Sequence, residues 1–277
     1  MNRPELPSHS FLTSIAKENK QLLQRGSYTA GGTIHHFSSH ICDVLVFPQS
    51  KREQLTGWGR SQLSWKEACI QVAAGDTTEY AGDAVLNFAS AVTPGGGYLR
   101  GSRAQEECLC RETTLYPSLT SPDAACFYQE NRAQQTALYT HTFLISPHIE
   151  IFRTPLDRGY TLLPDDKVTV TAVLTVPAPN LIFLSPQYPR QELRRLMQDR
   201  IRFFLAGAAH MGFRTLTLGA WGCGAFRHDA ADVAADFHQI LIEENWQSLF
   251  DAITFAIYPG GEIGTYNLKT FQQAFRK

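Results

Sequence analysis

The chain lacks a large excess of charge of either sign. Its 277 residues include 25 Lys and Arg against 26 Asp and Glu, which gives a formal net charge of -1. A protein that holds duplex DNA through its phosphates needs a basic surface, so we expect no sequence-specific nucleic-acid binding. A disordered chain combines low hydrophobicity with high net charge. The hydrophobic share of 43% excludes that class.

Long apolar runs and regularly spaced cysteines are also missing. No stretch approaches the roughly 18 apolar residues of a membrane span, and the N-terminus lacks the apolar core of a secretory signal. The six cysteines are irregularly spaced without a CxxC pair, which indicates neither a zinc site nor a disulfide framework. These features favour a cytoplasmic protein with free thiols, no membrane association and no metal site.

Short apolar runs alternate with amphipathic stretches along the chain. Strands are predicted within 41–48, 70–75, 83–90, 143–153 (two short strands or one bent strand), 166–179, 215–220 and 253–259. Helices are predicted at 8–25 with Gly26 as the stop, at 104–115, 189–212 and 229–245, and in the tail from Lys269. Residues 49–66 are polar and carry no predicted element. The alternation predicts an α/β fold with a mostly parallel or mixed sheet.

The segment PGGGYLRGSRAQEE follows one of the predicted strands. Its three glycines, Gly95–Gly97, leave the turn without any Cβ, so the backbone can adopt positive φ and approach a ligand closely. N–H groups of such a turn can form a cradle for an anion. Glu106 and Glu107 follow at a helix start, where neighbouring side chains point about 100° apart, so they are expected to have different tasks. The helix dipole alone also explains carboxylates at this position.

A second glycine-rich turn, LGAWGCGAF at 218–226, lies between a predicted strand and a predicted helix. Backbone N–H groups bind phosphate or pyrophosphate in this strand–loop–helix context. The turn lacks the Lys-Ser/Thr pair of a Walker loop and the acidic residue about 20 positions on that a Rossmann site needs. One such turn can be purely structural. Two of them at the carboxyl ends of strands predict a grip on one pyrophosphate.

Several isolated polar residues allow two interpretations. Asn87 stands in an apolar run, where a buried amide needs partners, so it is either a structural hydrogen bond or a ligand contact. Asp76 follows a glycine and is a turn residue by default, but it can equally accept a hydrogen bond from an adenine amino group. His35, His36 and His40 have no fourth ligand nearby in sequence and are interpreted as loop residues.

Taken together, the motifs resemble those of the bacterial-type poly(ADP-ribose) glycohydrolases, a macrodomain family. GGG, seven residues and QEE form the signature of that family, and the surrounding LNFASAVTPGGGYLRGSRAQEECLCRETTLY, GAWGCGAF and RGSY are similar as well. The similarity spans residues 10–260. It implies a macrodomain-like three-layer α/β/α sandwich with a mixed sheet. Residues 67–277 would form the catalytic core, and residues 1–66 an N-terminal helical extension packed on it.

The resemblance implies catalysis by the glutamates. Glu107 would be the general acid/base, while Glu106 and Gln105 would position the terminal ribose and Glu107. The reaction would break the 1″–2′ ribose–ribose bond of poly(ADP-ribose) through an oxocarbenium-like state and release ADP-ribose. A protonated Glu107 can supply the proton that the leaving 2′ oxygen needs. Neither a metal nor a cofactor is required.

The resemblance also implies a set of substrate-binding residues. These are Asp76, Asn87, Gly95, Gly96, Gly97, Gln105, Gly222, Cys223, Gly224, Ala225 and Phe226. The two glycine turns would line opposite sides of the diphosphate. Phe226 would pack against the terminal ribose, Asn87 would bind a ribose hydroxyl, and Asp76 would read adenine. The expected partners are poly(ADP-ribose) or other ADP-ribosylated substrates.

Three alternatives stay open from the sequence. A non-catalytic ADP-ribose reader would use Glu106 and Glu107 only to cap a helix. A mono-ADP-ribosyl hydrolase, acting on protein, nucleic acid or O-acetyl-ADP-ribose, would use nearly the same residues. A nucleotide-binding oxidoreductase with GAWGCG as its dinucleotide loop is disfavoured, because the ribose-binding acid is missing and the QEE motif is unexplained. The sequence does not distinguish cleavage at the ends of the polymer from cleavage inside it.

Overall fold

The computed structural model of the protein describes residues 7–276. Its strands are β1 (Ser27–Ala30), β2 (Thr33–His36), β3 (Leu45–Phe47), β4 (Cys69–Ala74), β5 (Ala84–Phe88), β6 (Phe143–Ile151), β7 (Thr169–Val176), β8 (Thr215–Leu218) and β9 (Ala252–Ile257). Its α-helices are α1 (His9–Arg25), α2 (Arg52–Ser61), α3 (Gln105–Glu112), α4 (Leu115–Leu119), α5 (Ala125–Ala133), α6 (Arg190–His210), α7 (Ala230–His238) and α8 (Gly261–Ala274). Within this range, no helix is both long enough and apolar enough to cross a membrane.

Seven strands form one mixed sheet in the order β3-β6-β7-β5-β8-β9-β4. The last five strands of that order run parallel, whereas β6 is antiparallel to both of its neighbours. Successive residues of a strand face opposite sides of the sheet. In β5, Ala84 and Leu86 pack in the hydrophobic cluster that contains α6 and α7, and Val85 packs in the cluster with α3, α4 and α5. The expected three-layer α/β/α sandwich with a mixed sheet is confirmed.

The predicted N-terminal helix is confirmed as α1. Ser8 caps the helix by accepting a hydrogen bond from the N–H of Phe11, and Gly26 ends it in the left-handed conformation at φ 78°. A buried contact fixes the helix to the rest of the molecule, because the Asn19 amide donates to the carbonyl of Arg111 at 2.9 Å. The N-terminal region is therefore packed against the helix that begins with the QEE motif.

Two N-terminal elements are not predicted by the sequence. Strands β1 and β2 form a separate antiparallel hairpin, so His35 and His36 lie in a strand and not in a loop. The His35 ring bridges two carboxylates, at 2.8 Å from Glu150 and 2.7 Å from Asp165, and this long-range contact fixes the hairpin. Helix α2 forms inside the polar stretch 49–66 and packs against α6.

The structure also adjusts several element boundaries. The segment 143–153 forms one strand, β6, with a register shift between Ser146 and Ile149, which matches the bent-strand alternative. The last helix begins at Gly261 instead of Lys269. Strand β3 lies within residues 1–66 and pairs with β6, so part of this region is built into the sheet. The domain boundary at residue 66 stays a prediction.

Candidate active site

A cavity of about 890 Å³ lies at the carboxyl ends of the parallel strands. Ala74, Phe88 and Ile257, which end β4, β5 and β9, all line it. Ligands of open α/β sheets bind at this edge. Both glycine-rich turns reach the cavity because they follow β5 and β8 at the same edge.

Most of the predicted site residues line this cavity. They are Asp76, Gly96, Gly97, Gln105, Glu106, Glu107, Gly222, Gly224, Ala225 and Phe226. Asn87, Gly95 and Cys223 are not among the lining residues. Asn87 is fully buried, and its amide donates to Glu106 and to the Thr175 hydroxyl, which matches the structural interpretation of this residue.

The first glycine turn makes room for two carboxylates. Gly96 has φ 57°, and a Cβ built on it would lie 2.5 Å from Oε1 of Glu107 and 3.0 Å from Oε2 of Glu106. Both the positive φ and the missing space require glycine at this position. The two carboxylates therefore approach each other across the backbone of Gly96.

The N–H groups of this turn bind groups of the protein itself. The N–H of Gly97 donates to Oε1 of Glu107 at 2.7 Å. The N–H of Gly96 donates to the carbonyl of Thr93 at 2.9 Å. The sequence predicts an anion cradle in this turn. In the structure, the Gly97 N–H of the turn instead binds the carboxyl group of Glu107.

The two glutamates have different surroundings, as their helical positions predict. Glu106 is 3% exposed. Its carboxyl group accepts hydrogen bonds from the N–H of Ser90 at 2.8 Å and from the Asn87 amide at 3.4 Å. Burial raises the pKa of Glu106 to about 8. Glu106 is therefore mostly protonated at neutral pH and can donate a hydrogen bond.

Glu107 lines the cavity with one carboxyl oxygen unpaired. Its Oε1 accepts from Gly97, whereas its buried Oε2 has no hydrogen-bond partner among residues 7–276. Buried polar atoms in folded proteins are nearly always hydrogen-bonded. Of the two glutamates, Glu107 is the one with a carboxyl oxygen that has no partner within residues 7–276.

Gln105 ties the start of α3 to the end of β5. Its side-chain carbonyl accepts from the N–H of Phe88 at 2.9 Å, and its amide donates to the carbonyl of Leu86 at 3.0 Å and to the Thr77 hydroxyl at 3.2 Å. These bonds fix where the helix begins. Because the next two residues are the glutamates, Gln105 also fixes the position of both carboxyl groups.

Asp76 belongs to a buried carboxyl pair that the sequence does not reveal. Its Oδ1 accepts from the N–H of Thr78 at 3.1 Å, and the Thr78 hydroxyl donates to Oε2 of the fully buried Glu112 at 2.6 Å. The same Thr78 hydroxyl lies 3.3 Å from Oδ1 of Asp76, so one side chain links the two carboxyl groups. Burial raises the pKa of Glu112 well above its usual range. Asp76 itself lines the cavity.

Buried side chains fix the second glycine turn. The fully buried Trp221 donates from its indole N–H to the carbonyl of Val176 at 3.0 Å. The His228 ring lies 2.8 Å from the carbonyl of Pro179. A Cβ on Gly222 would lie 2.9 Å from that ring, so the turn closes tightly at this point.

The middle of the second turn is open. No heavy atom lies within 4 Å of a Cβ built on Gly224. The N–H groups of Gly224 and Ala225 donate to no acceptor within the described part of the chain. Free N–H groups at a cavity wall are suited to binding an anion. This turn therefore has the cradle geometry that the sequence predicts.

Sequence reasoning also missed Arg111, which is fully buried. Its guanidinium group donates to the carbonyls of Leu12 at 3.3 Å and Ser102 at 2.7 Å, and so joins α1 to the loop before α3. The only available signal was its position four residues after Glu107 on the same helix.

No cluster of three or more metal-binding side chains occurs among residues 7–276.

Known proteins of one family match this chain. The family model "Microbial-type PARG, catalytic domain" matches residues 16–154. The crystal structure of poly(ADP-ribose) glycohydrolase from Thermomonospora curvata is 32% identical, covers 97% of this chain and 100% of its own, and has a TM-score of 0.88. The same enzyme bound to the inhibitor ADP-HPD gives 33% identity, 97% and 100% coverage and a TM-score of 0.85.

A second solved relative comes from Deinococcus radiodurans. Its poly(ADP-ribose) glycohydrolase in complex with ADP-ribose is 35% identical, covers 85% of this chain and 95% of its own, and has a TM-score of 0.76. No curated protein matches the chain. The identity and coverage of the solved relatives, together with the family model, show that the chain belongs to the microbial-type poly(ADP-ribose) glycohydrolase family.

Proposed function

We propose that this chain hydrolyses the 1″–2′ ribose–ribose bond of poly(ADP-ribose) and releases ADP-ribose, with Glu107 as general acid/base. The observation that carries the proposal is that Glu107, whose Oε2 has no hydrogen-bond partner among residues 7–276, lines the same cavity as the second glycine turn. The cavity volume of about 890 Å³ falls in the range of about 300–1,000 Å³ typical of ligand sites. Family membership supports the same activity.

The lining residues suggest how ADP-ribose binds. Asp76, which lines the cavity, would bind the adenine amino group. The free N–H groups of Gly224 and Ala225 would hold the diphosphate. The terminal ribose would then lie between Phe226 and the first glycine turn.

Chemistry begins with proton transfer from Glu107. The protonated carboxyl gives its proton to the leaving 2′ oxygen as the bond to the anomeric carbon breaks, and the ribose becomes oxocarbenium-like. The bound diphosphate stabilises that positive charge. The Glu107 carboxylate then removes a proton from water as the water oxygen bonds to the anomeric carbon. The products are ADP-ribose and a polymer shortened by one unit.

Glu106 would bind the terminal ribose without taking part in proton transfer. Its pKa of about 8 means that it carries a proton at pH 7 and can donate to a ribose hydroxyl. The backbone of Gly96 lies between the carboxyl groups of Glu106 and Glu107, so both would reach the same sugar. Glu106 would orient the ribose, and Glu107 would transfer the proton.

The proposal includes a cytoplasmic location. All six cysteines are free in the structure, and three of them are buried. Free cysteines are typical of proteins in a reducing compartment.

One assay tests the proposed function. The wild-type protein is incubated with poly(ADP-ribose) and, separately, with mono-ADP-ribosylated protein, and free ADP-ribose is measured in each. We expect rapid release from the polymer and a loss of about 10²–10⁴-fold in the Glu107→Gln variant. Release from the mono-modified protein alone would favour the mono-ADP-ribosyl hydrolase. Tight ADP-ribose binding without release from either substrate would favour the non-catalytic reader.

A further inference from the structure

Two arginines at the cavity have no task in the proposed chemistry. Arg100 and Arg103 line the same cavity as Glu107, and both are exposed. Neither forms an ion pair with a carboxylate of residues 7–276, although most of the other cavity-lining polar groups described above have a partner. The positive charges of both side chains are therefore available to a ligand.

The backbone that carries these arginines is fixed beside the reactive carboxyl. The N–H groups of Arg100 and Ser102 both donate to the carbonyl of Gly97, at 2.9 and 3.1 Å. Gly97 is the residue whose own N–H binds Glu107 at 2.7 Å. The loop holding the two arginines is thus attached to the same glycine as the proposed acid/base.

Contacts from outside the loop hold it as well. The buried Arg111 guanidinium donates to the carbonyl of Ser102 at 2.7 Å. The His9 ring, on α1, lies 3.2 Å from the carbonyl of Arg100. Fixing the backbone reduces the entropy that is lost when the two side chains bind a ligand.

The reaction brings a second anionic group to this side of the cavity. The leaving 2′ oxygen belongs to the adenosine of the next unit, and that adenosine carries its own diphosphate. The second diphosphate must lie outside the pocket for the first unit, on the side where Glu107 protonates the leaving oxygen. Guanidinium groups bind phosphate oxygens in a planar, often bidentate arrangement.

We propose that Arg100 and Arg103 form a subsite for the diphosphate of the ADP-ribose unit on the leaving side of the cleaved bond. This inference rests on the proposed function. The subsite selects polymer over a mono-ADP-ribosylated side chain, because only the polymer presents a second diphosphate there. The released ADP-ribose unit does not occupy it.

Binding to the slow Glu107→Gln variant tests the subsite. The ligands are ADP-ribose and a dimer of two ADP-ribose units joined by the 1″–2′ bond, and calorimetry at about 50 and 200 mM salt gives each affinity. Adding Arg100→Ala and Arg103→Ala should lower the affinity for the dimer about tenfold and leave that for ADP-ribose unchanged. The salt dependence of dimer binding should also fall, by about 0.7 in the log–log slope for each lost phosphate contact.

Two control variants separate a specific contact from general charge. Lys51→Ala with Arg195→Ala removes the same charge from exposed positions that do not line the cavity, and should leave dimer binding unchanged. Arg100→Lys with Arg103→Lys keeps the charge and should restore part of the affinity.

Two results would overturn the inference. One is an unchanged affinity for the dimer after both arginines are removed, and the other is an equal loss in the Lys51 and Arg195 control. Failure of the proposed function would appear differently, as a wild-type protein that binds the dimer but never cleaves it.

Discussion

The two glycine-rich turns follow neighbouring parallel strands and reach one cavity, but they use their backbone differently. In the first turn, the N–H of Gly97 binds the carboxyl group of Glu107. In the second turn, the N–H of Gly224 is free within the described part of the chain, and no heavy atom lies within 4 Å of a Cβ built on Gly224.

The comparison shows that glycine serves two purposes in this molecule. At Gly96 the missing side chain provides room for two buried carboxyl groups of the protein. At Gly224 it leaves the cavity wall open to a ligand. Damage to the first turn should therefore appear in the chemical step, and damage to the second turn should appear in ligand binding.

The largest expected effect is that of Glu107→Gln. Gln keeps the shape of the side chain and the contact with Gly97, but it cannot transfer a proton. Turnover of poly(ADP-ribose) should fall about 10²–10⁴-fold, while the Kd for ADP-ribose changes little. Steady-state kinetics and calorimetry measure the two quantities. A parallel loss of ADP-ribose affinity would indicate that Glu107 belongs to the binding surface only.

Gly96→Ala should have the next largest effect. A Cβ here would lie 2.5 Å from Oε1 of Glu107, so the carboxyl group must move. Misplacement of a catalytic group by about 1 Å costs on the order of 100-fold in rate. The matched variant Gly224→Ala has open space around its Cβ and should keep kcat. Equal losses of kcat in both variants would contradict the assignment of chemistry to the first turn.

Glu106→Gln tests the protonation state of the buried carboxyl. The folded-state pKa of about 8 lies above the ordinary value, so the unfolded state gives up this proton at lower pH than the folded state does. The free energy of unfolding of the wild type should therefore fall as the pH rises from about 4.5 to 8. The Gln variant should lack this slope and gain on the order of 2 kcal/mol relative to wild type. Urea denaturation at both pH values provides the measurement, and parallel pH profiles would contradict the expectation.

Trp221→Phe should have the smallest effect of the four. It removes the indole hydrogen bond to the carbonyl of Val176 below the second turn, and that carbonyl keeps only the longer bond from the N–H of Ala89 at 3.4 Å. The expected cost is about 1–2 kcal/mol in stability. In activity assays KM should rise while kcat stays close to wild type. The loosened second turn is the one that would bind the ligand, whereas the reacting carboxyl group of Glu107 is held by the first turn. A fall in kcat with constant KM would remove the distinction between the two turns.

Features that depend on local sequence rules were predictable. Helix α1 with its stop at Gly26, helix α6 and both glycine turns follow from residue spacing, capping and strand–turn–helix order. The different surroundings of Glu106 and Glu107 follow from helix geometry, although the sequence alone could not show which of them has an oxygen without a partner.

Features that depend on distant contacts could not be predicted. The hairpin β1–β2 is fixed by His35 between Glu150 and Asp165, which lie more than 100 positions away. A glutamate in a helix, such as Glu112, usually lies on the protein surface, and only the fold shows that Glu112 is buried beside Asp76. The same applies to Arg111, whose partners lie on α1 and in the loop that ends at Ser102.

A crystal structure of the Glu107→Gln variant with ADP-ribose tests the central claim most directly. We predict that the diphosphate lies against the N–H groups of Gly224 and Ala225. The side chain at position 107 should lie within hydrogen-bond distance, about 3 Å, of an oxygen on the anomeric carbon of the terminal ribose. A ligand whose terminal ribose lies away from position 107, or a side chain turned toward bulk water, would contradict the account.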